Sequence, residues 1–336
     1  MATVTIDARD AAGPRLRGWG RYAHELVASL QRQGDGLEID ALEAGVPGPE
    51  LLFEQIALPR HLRRTGADLV HAPNCFLPLR RPCPGVVTIH DLAFEVHPED
   101  FSRQTGWKYR TFTPRAARSA ERVICVSEHT RDDVCERYGV DPERTRVVLS
   151  APSLALGHTP PPPGPYLLAV GDLRRKKNLA RLVSAFGQLR EEGIPHRLIL
   201  AGLQGAGGEH LRALARDAPI ELPGYVADAE LDALIRGAEL LVYPSLYEGF
   251  GLAVVEAMAR GTPVAASNTT ALPEAGGDAA AYFEPTDVDD IAATIREVLT
   301  DPGRREQMAE RGRRRAAELT WERTANETAA VYRELL

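Results

Sequence analysis

Two glutamates lie on either side of a glycine-rich turn in the second half of the chain. Glu248 precedes Gly249 and Gly251, and Glu256 follows about a turn and a half into a predicted helix. The glycines allow a ligand to approach the backbone closely, and the helix directs its amino end toward that ligand. Carboxylates accept hydrogen bonds from hydroxyl groups, so this spacing suits a diphosphate with hydroxyls on both sides, as in a nucleotide sugar. The alternative is that Glu256 only pairs with Arg260, four residues later on the helix.

A run of four cations, Arg174–Lys177, follows a predicted strand at Tyr166–Val170 and leads into a predicted helix. Cations and helix-start amides at the carboxyl end of a strand suit a diphosphate. The alternative is a solvated charge run at a helix start. The chain has three lysines, and two of them, Lys176 and Lys177, are adjacent here. A lysine is a compact point charge, so this placement favours phosphate contact.

His90 and Asp91 follow another predicted strand, Val86–Ile89, in the first half of the chain. The carboxyl ends of parallel strands form the ligand-binding edge of such a sheet, so this pair is a candidate binding residue set. A lone histidine is more often structural, and the pattern alone leaves that alternative open.

A metal site is not predicted, because no Asp-x-Asp tripeptide lies in a suitable loop. Asp132 and Asp133 lie on a predicted helix, and Asp287–Asp289 is near the far end of the chain. Lysine, arginine and helix-start amides would then neutralise a leaving diphosphate.

Short β-branched runs alternate with segments of helical apolar spacing, which predicts an α/β protein with parallel sheets. In the first half the predicted strands are Val4–Ile6, Leu69–His71, Val86–Ile89, Arg122–Val126 and Val147–Leu149. In the second half they are Tyr166–Val170, Arg197–Ala201, Leu240–Tyr243, Val264–Ala266 and a weak one near Tyr282. Predicted helices include Tyr22–Gln31, a segment from Glu128, Leu179–Leu189 and a tail from Arg305 to Leu336.

Pro160–Pro163 predicts a semi-rigid linker, because four prolines continue neither a helix nor a central strand. We therefore expect a domain at 1–155, a linker at 156–165, a second domain at 166–315 and a C-terminal helix at 316–336 that crosses back. Two Rossmann-like, doubly wound domains are expected to face a cleft, with ligands at the carboxyl ends of their strands.

Length and composition exclude several classes of protein. The 336 residues and 36.6 kDa suit about two domains. A net charge of -7 argues against nucleic-acid binding through a broad basic surface. The four cysteines lack zinc-ligand spacing, which predicts reduced thiols in a cytoplasmic protein. Neither a signal peptide nor an apolar run of about 18 residues is evident, so we expect a protein that is not secreted and does not span a membrane.

The run Pro244–Val264, PSLYEGFGLAVVEAMARGTPV, resembles the Glu-x7-Glu signature of retaining glycosyltransferases of family 4, which have the GT-B fold. The likeness covers nearly the whole chain and includes GWGRY, TIHDLAF, VSEHT, VGDLRRKKNL, PGYVADAEL, ALPEAGGDAA and the segment at Trp321. Each piece is short, but their order and spacing together are specific.

This resemblance implies roles for individual residues. The first glutamate of the signature contacts the donor sugar and the second the ribose, so these roles fall to Glu248 and Glu256. Lys177 and one of Arg174, Arg175 or Lys176 face the diphosphate, and His90 touches the donor sugar near the reaction centre. The catalytic residues are then His90, Glu248 and Lys177. The residues expected to bind the donor are Gly171, Arg175, Lys176, Lys177, Gly202, Tyr225, Val226, Glu248, Gly249, Phe250, Gly251, Leu252 and Glu256.

The base pocket is expected at Gly202–Gly205 and Gly224–Val226. Two positions depart from the family pattern. Many members have arginine where this chain has Asp172, so that cationic role passes to Arg175 or Lys176. Ala253 replaces a proline that presets the first helical turn, a change the helix should tolerate.

The first domain is expected to hold the acceptor, with Gly18, Trp19 and Gly20 in a flexible loop, Arg15–Tyr22, and with Asp91 nearby. Trp19, Phe76 and Trp107 either stack on sugars or belong to the core. One basic concentration either meets anionic lipid or an acidic acceptor, or is a solvated helix surface. Its members are Arg103, Lys108, Arg110, Arg115, Arg118 and Arg122.

The resemblance implies a retaining, metal-independent transferase without a cofactor that takes its sugar from a nucleotide-diphosphate donor, UDP or GDP. The expected acceptor is an antibiotic or other natural product, or a cell-surface polysaccharide. The arginine-, alanine- and proline-rich composition is typical of a GC-rich genome and points to the natural product. A nucleotide-sugar epimerase or hydrolase of the same fold and a non-catalytic nucleotide-sugar-binding subunit are the alternatives. Nucleic acid is not an expected partner, and weak peripheral membrane contact stays open.

Overall fold

The computed structural model describes residues 1–12, 18–34, 36–43, 50–203, 208–215 and 218–336. The chain forms two compact units. Unit 1 comprises Met1–Val96, Phe101–Ala151 and Leu319–Leu336. Unit 2 comprises His97–Asp100 and Pro152–Glu318.

Unit 1 is built on a six-stranded parallel sheet with the order β2-β1-β3-β4-β5-β6. Its strands are Ala2–Asp7 (β1), Leu37–Leu42 (β2), Leu69–Ala72 (β3), Gly85–Ile89 (β4), Arg122–Cys125 (β5) and Thr145–Val147 (β6). The inner strands β3 and β4 are buried along their whole length. They are apolar apart from His71 and Thr88, because helices cover both faces of a parallel sheet.

The first six helices follow these strands. They are Gly18–Gln33 (α1), Glu50–Leu52 (α2), Leu58–Thr65 (α3), Ala93–Val96 (α4), Arg103–Ser119 (α5) and Glu128–Tyr138 (α6). A π-helical turn, Phe53–Ala57, joins α2 to α3. Serine caps fix two of the helix starts: Ser102 accepts a hydrogen bond from the Thr105 amide, and Ser127 accepts one from the Thr130 amide.

Unit 2 contains a second six-stranded parallel sheet with the order β12-β11-β10-β7-β8-β9. Its strands are Tyr166–Val170 (β7), Arg197–Ala201 (β8), Ile220–Gly224 (β9), Leu240–Tyr243 (β10), Val264–Ser267 (β11) and Ala281–Phe283 (β12). This is the Rossmann order, and the winding direction reverses between the neighbours β7 and β10. Ligands of such sheets bind at the carboxyl ends of the strands at this switch point.

The described residues of unit 2 form seven helices, and one further helix belongs to unit 1. Those of unit 2 are Leu179–Glu191 (α7), Gly208–Ala215 (α8), Asp228–Gly237 (α9), Leu252–Ala259 (α10), Leu272–Gly276 (α11), Val288–Thr300 (α12) and Pro302–Ala317 (α13). The helix of unit 1 is Trp321–Arg333 (α14).

The structure confirms the predicted α/β class and every predicted strand position, with differences at some ends. The strand predicted at Val147–Leu149 is β6 and lies two residues earlier. Two strands, β2 and β9, were missed. Both are edge strands with exposed or half-exposed residues, and β9 contains Pro223, so neither shows a strong apolar signal.

One helix prediction was wrong at its start. Helix α1 begins at Gly18 rather than Tyr22, so Gly18, Trp19 and Gly20 form a helix start rather than a flexible loop. The tail is helical as predicted, and it is divided into α13 and α14 because Thr320 adopts an extended conformation and its side chain caps α14 at the Arg323 amide.

Helix α14 docks on the sheet of unit 1 through a buried histidine of β3. His71 Nδ1 lies 2.6 Å from the Tyr332 hydroxyl, and His71 Nε2 lies 2.8 Å from Thr88 Oγ1. Both hydroxyls can donate or accept, so a neutral imidazole satisfies both contacts. Burial, with a smaller effect of the neighbouring His90, lowers the pKa of His71 to about 3.

Acidification is expected to destabilise unit 1, because burial also lowers the pKa of His90 to about 4. An unfolded histidine titrates near pH 6.5, so below that pH the unfolded chain binds more protons than the folded one. The free energy of unfolding should fall by up to about 1.4 kcal/mol per pH unit for each histidine. All three tryptophans lie in unit 1, so urea denaturation followed by tryptophan fluorescence reports on it. His71→Gln should reduce the slope between pH 6.5 and 4.5, and an unchanged slope would contradict this account.

Gly202 is required where the loops after β7 and β8 meet. The Gly171 amide donates to the Ala201 carbonyl, and the Gly202 amide donates to the Gly224 carbonyl. A Cβ atom on Gly202 would overlap the backbone carbonyl of Gly171, which has no side-chain freedom to move aside.

Gly202→Ala is expected to lower the free energy of unfolding by about 2–4 kcal/mol, because the two loops would have to separate. Gly187→Ala is the control, since an added Cβ there meets nothing within 4 Å in the exposed middle of α7. It should stabilise the protein by about 0.5–1 kcal/mol. Thermal denaturation followed by circular dichroism measures both effects. Equal stability of the two variants would show that the loops tolerate a side chain.

Candidate functional site

The candidate site of unit 2 lies where β7 and β10 end side by side. The segment Gly171–Asn178 follows β7, and Pro244–Gly251 follows β10. The two loops are joined by a hydrogen bond of 2.8 Å from the Leu246 amide to the Lys176 carbonyl. The switch point of the sheet therefore brings both motifs identified in the sequence to one place.

Lys177, Glu248 and Tyr243 form the centre of this site. Lys177 Nζ donates to Glu248 Oε1 at 2.5 Å and to the Tyr243 hydroxyl at 2.7 Å. Burial alone would raise the pKa of Glu248, but Lys177 and Lys176 lower it to about 2. Burial alone would likewise lower the pKa of Lys177, but Glu248 and Tyr243 raise it above its ordinary value. Both groups are therefore charged at neutral pH although they are buried.

Lys176 is the second cation beside Glu248. It is buried, and its Nζ atom lies 3.9 Å from Glu248 Oε2 and 5.9 Å from the centre of the Tyr247 ring. Arg175 is exposed, and half-buried Arg174 lies near Asp172 at 3.8 Å. Of the three alternatives for the second cation, the structure thus places Lys176 next to Lys177 and Glu248.

The amides at the start of the cationic turn already hold a carboxylate. The amides of Arg175 and Lys176 donate to Oδ1 and Oδ2 of Asp100, each at 2.9 Å. The sequence predicted that helix-start amides here would face a diphosphate. In this structure Asp100 accepts their hydrogen bonds, and the lysine side chains carry the positive charge toward Glu248.

The glycine turn after Glu248 has a backbone that suits only glycine at one position. Gly251 has a φ of +110°, and an added Cβ would lie 2.8 Å from Leu272 Cδ2. The Glu248 amide donates to Thr270 Oγ1 at 3.1 Å, which fixes the other end of the turn. Gly249 and Phe250 are buried between them. The amino end of α10, from Leu252 onward, follows this fixed turn.

Glu256 lies on α10 and has a different set of partners. Its Oε1 accepts from the Ser153 and Leu154 amides at 2.6 and 2.8 Å, and its Oε2 accepts from Arg260 at 2.9 Å. The i,i+4 pair with Arg260, which the sequence left as an alternative to ligand binding, is therefore present. It occupies only part of the carboxylate, which has about four acceptor positions.

The loops predicted to form the base pocket meet at the same edge of the sheet. Gly202 bonds to Gly224, and the Leu173 amide donates to the Leu203 carbonyl at 2.8 Å. Tyr225 is 38% exposed and Val226 is half-buried. Gly205, which belonged to this prediction, lies outside the described residues.

His90 lies in unit 1 at the end of β4, under aromatic rings. Its ring stacks on Trp19 with centroids 5.4 Å apart and meets the edge of Tyr22 at 4.7 Å. Nε2 lies 2.7 Å from the Pro73 carbonyl, which can only accept, so Nε2 carries the proton. Because its pKa is about 4, His90 is neutral at pH 7 and its Nδ1 is a hydrogen-bond acceptor. Asp91 accepts from the Ala93 amide at 2.9 Å and so begins α4.

The three aromatic candidates of unit 1 differ in exposure. Phe76 is buried and packs edge-on against Tyr109, whereas Trp19 packs on the core while half-exposed. Trp107 is 57% exposed.

The basic stretch of α5 is largely engaged within unit 1. Lys108 contacts Glu50 and Glu54 at 2.7 and 2.9 Å. Arg110 and Arg118 donate to backbone carbonyls, and Arg122 pairs with Glu334. These contacts favour the interpretation of a structural helix surface.

The described part of the chain contains neither a metal-binding cluster nor a helix that could span a membrane. Among those residues no group of three or more histidine, cysteine or carboxylate side chains could hold a metal ion. No helix there has the length and apolar character needed to cross a membrane.

The sequence missed several residues of the site. Tyr243 is the last residue of a buried strand and reads as core, although its hydroxyl bonds Lys177. Asp100 and Asp232 lie far along the chain from their partners, so spacing could not reveal them. The sequence offered one signal for Tyr243, which is its position at the end of the strand that precedes Glu248.

Two family models match the chain. Residues 16–150 match Glycosyltransferase Family 4, and residues 157–315 match Glycosyl transferases group 1. A solved structure, Anabaena HepE (Alr3699) in complex with UDP and glucose, has a TM-score of 0.72 at 19% identity, with 100% of each chain covered. At that identity the likeness shows the fold alone.

Two curated relatives are mannosyltransferases. MMP alpha-(1->4)-mannosyltransferase of Mycolicibacterium hassiacum is 29% identical over 318 residues, which are 87% of this chain and 77% of the relative. O-antigen chain mannosyltransferase B of Escherichia coli is 32% identical over 290 residues, which are 80% of this chain and 74% of the relative. The chain therefore belongs to the group 1 glycosyltransferases, with the family 4 N-terminal half and the GT-B fold.

Proposed function

We propose that this glycosyltransferase moves a mannosyl residue from a nucleotide-diphosphate sugar to a glycan hydroxyl, with retention of anomeric configuration and without a metal ion. The observation that carries the proposal is the buried group of Lys177, Glu248 and Tyr243 at the switch point of unit 2. Two curated mannosyltransferases support the choice of sugar.

The lysines account for the leaving group. Departure of the sugar leaves negative charge on a phosphate oxygen. Lys176 is buried and the Lys177 side chain is 14% exposed, and both lie beside Glu248 in the loop that leads into α10. Buried cations aimed at developing charge stabilise it more strongly than in water and need no reorganisation. Two lysines can therefore neutralise the diphosphate in the role that a metal ion takes in other transferases.

Glu248 accounts for the sugar. It is ionised at neutral pH and acts only as a hydrogen-bond acceptor, so it can hold sugar hydroxyl groups. In the structure its Oε1 holds Lys177. A donor whose phosphate takes up Lys177 would release acceptor capacity on Glu248 for the sugar.

The reaction proceeds on one face of the sugar. The bond from C1 to the phosphate oxygen breaks, a bond from the acceptor oxygen to C1 forms on the same face, and the acceptor proton moves to the leaving phosphate oxygen. His90 is neutral, and its Nδ1 can accept a hydrogen bond from a donor-sugar hydroxyl. We assign it this contact rather than proton transfer, because its Nε2 proton is held by Pro73.

The acceptor is proposed to be a hydroxyl of a growing polysaccharide. The name of the Escherichia coli relative describes an O-antigen chain, which favours a cell-surface glycan over an antibiotic. The donor base is proposed to be uracil or guanine, and the UDP bound by the HepE structure is compatible with the fold. A thermal-shift screen with UDP, GDP, ADP and dTDP selects the base, because a ligand that binds the native state raises its stability.

Glu248→Gln is expected to lower the rate of sugar transfer about 10²- to 10³-fold, because it removes the charged acceptor for the sugar hydroxyls. Binding of the free nucleoside diphosphate should be no weaker, since the change removes the carboxylate that pairs with Lys177 and leaves its ammonium group to bind phosphate. Transfer is measured with radiolabelled GDP-mannose or the UDP-sugar chosen by the screen.

Glu284→Gln is the matched control, since Glu284 follows β12 on the same sheet, is exposed, and its carboxylate bonds Thr286 and Asn268 rather than the lysine pair. It should transfer sugar at the wild-type rate. Full transfer activity of Glu248→Gln would contradict the role assigned to Glu248. Rapid donor turnover by the wild type without any acceptor would instead favour a hydrolase or epimerase.

Tyr243→Phe is expected to raise the KM for the donor about 5- to 10-fold with a smaller change in kcat, because Lys177 loses one of its two fixed acceptors. Tyr282→Phe removes a comparable hydroxyl, which donates to the Gly277 carbonyl at 2.9 Å outside the site. Steady-state kinetics of both variants test the prediction. A donor KM that rises equally in both would contradict a specific role for Tyr243.

A further inference from the structure

A buried ionic cluster lies beside the candidate site, where α9 meets α10. Arg260 Nε lies 2.8 Å from Asp232 Oδ1, and Arg260 Nη1 lies 2.9 Å from Glu256 Oε2. Arg236 Nε lies 2.7 Å from the other oxygen of Asp232. The side chains of Asp232 and Arg260 are 0% and 1% exposed. Charges buried this deeply are held in one geometry by each other.

The same cluster fastens the chain that precedes β7. The amides of Ser153 and Leu154 donate to Glu256 Oε1, and Arg260 Nη2 donates to the Leu154 carbonyl at 2.6 Å. The Gly157 amide donates to Asp232 Oδ2 at 3.0 Å. Arg236 Nη2 donates to the Thr159 carbonyl at 2.8 Å. Residues 153–159, which belong to unit 2, are therefore held by side chains of α9, of α10 and of Arg260 at the end of α10.

The hydrogen bonds of Glu256 determine the orientation of its carboxylate. Oε1 accepts two amide protons, and Oε2 accepts one guanidinium proton from Arg260. A carboxylate offers about four acceptor positions, two on each oxygen, so the described partners use three of them. The fourth is on Oε2, and its direction is set by Arg260. One further donor, such as a hydroxyl group, completes the set.

We infer that Arg260, itself fixed by Asp232, is a positioning residue that aims the remaining acceptor position of Glu256 Oε2 at a ribose hydroxyl of the nucleotide. This inference rests on the proposed role of Glu256 in donor binding. If it holds, the protein prefers ribose to deoxyribose, and the cause of this preference is a buried arginine that does not contact the ligand. The ligand class is a ribonucleoside diphosphate, free or carrying a sugar.

Arg260→Met in the full chain tests the inference, and Arg236→Met is its matched control. Both variants remove one arginine from Asp232 and its bonding to carbonyls of residues 153–159, two for Arg260 and one for Arg236. Of the two arginines, Arg260 is the one that contacts Glu256. The probes are UDP and GDP together with their 2′-deoxy and 3′-deoxy forms, and calorimetry measures each Kd. For Arg260→Met we expect ribonucleotide binding to weaken about tenfold while binding of one deoxy form changes little, so that the preference for ribose is lost.

Arg236→Met should keep the wild-type ratio of ribose to deoxyribose affinity even where its melting temperature falls. Arg260→Lys keeps a cation at the position and should restore part of the preference, and it serves as the test if Arg260→Met does not fold. The inference is overturned if Arg260→Met weakens ribose and deoxyribose forms equally, or if both arginine variants change the ratio alike.

Failure of the proposed function gives a different result. If the wild type prefers ribose and Arg260→Met removes that preference, the positioning role stands even where no sugar transfer is detected. If the wild type transfers sugar but binds ribose and deoxyribose forms equally, the transferase proposal stands and the role of Arg260 is refuted.

Discussion

The site depends on a single buried charge pair, Lys177 with Glu248. Each group alone would be costly to bury, because a charge removed from water must be paired and hydrogen-bonded. Together, with Tyr243 as a second acceptor for the ammonium, they stay charged at the carboxyl edge of the sheet. Removing one partner would leave the other unpaired in a buried position, so the fold must hold both loops in register.

That requirement explains several features of unit 2. The strand order makes β7 and β10 neighbours, which places Lys177 and Glu248 on adjacent loops although 71 residues separate them along the chain. Two hydrogen bonds fix the loops. The Leu246 amide donates to the Lys176 carbonyl, and the Glu248 amide donates to Thr270 Oγ1. A Cβ at Gly202 would overlap the Gly171 backbone, and one at Gly251 would meet the Leu272 side chain at 2.8 Å. These glycines serve packing of the site as well as access of a ligand.

Sequence patterns predicted the elements that are buried and the motifs that are local. The inner strands and the cationic run after β7 were found because their apolar or charged residues are contiguous. The edge strands β2 and β9 and the start of α1 were missed, because partial exposure and glycine weaken those signals. The partners of the site residues could not be predicted, since Asp100, Asp232 and Ser153 meet them through tertiary contacts that no spacing records. The spacing predicted Glu256 as a site residue. It did not predict that the Glu256 carboxylate also bonds the backbone that precedes β7.

Lysine and arginine bind carboxylates in different ways, and this difference accounts for where lysine lies in an acidic, arginine-rich protein. Arginine offers five donors in a planar fork, and in this chain Arg260 uses them to join two carboxylates and three backbone carbonyls. Lysine is a compact point charge that fits beside a carboxylate in a narrow space. Lys108 lies beside buried Glu54 and also Glu50 in unit 1, and Lys177 lies beside buried Glu248 in unit 2. The difference is that a second lysine, Lys176, lies beside the pair in unit 2. Two lysines thus lie beside one buried carboxylate within a chain of net charge -7, and both could interact favourably with the anionic diphosphate of the proposed donor.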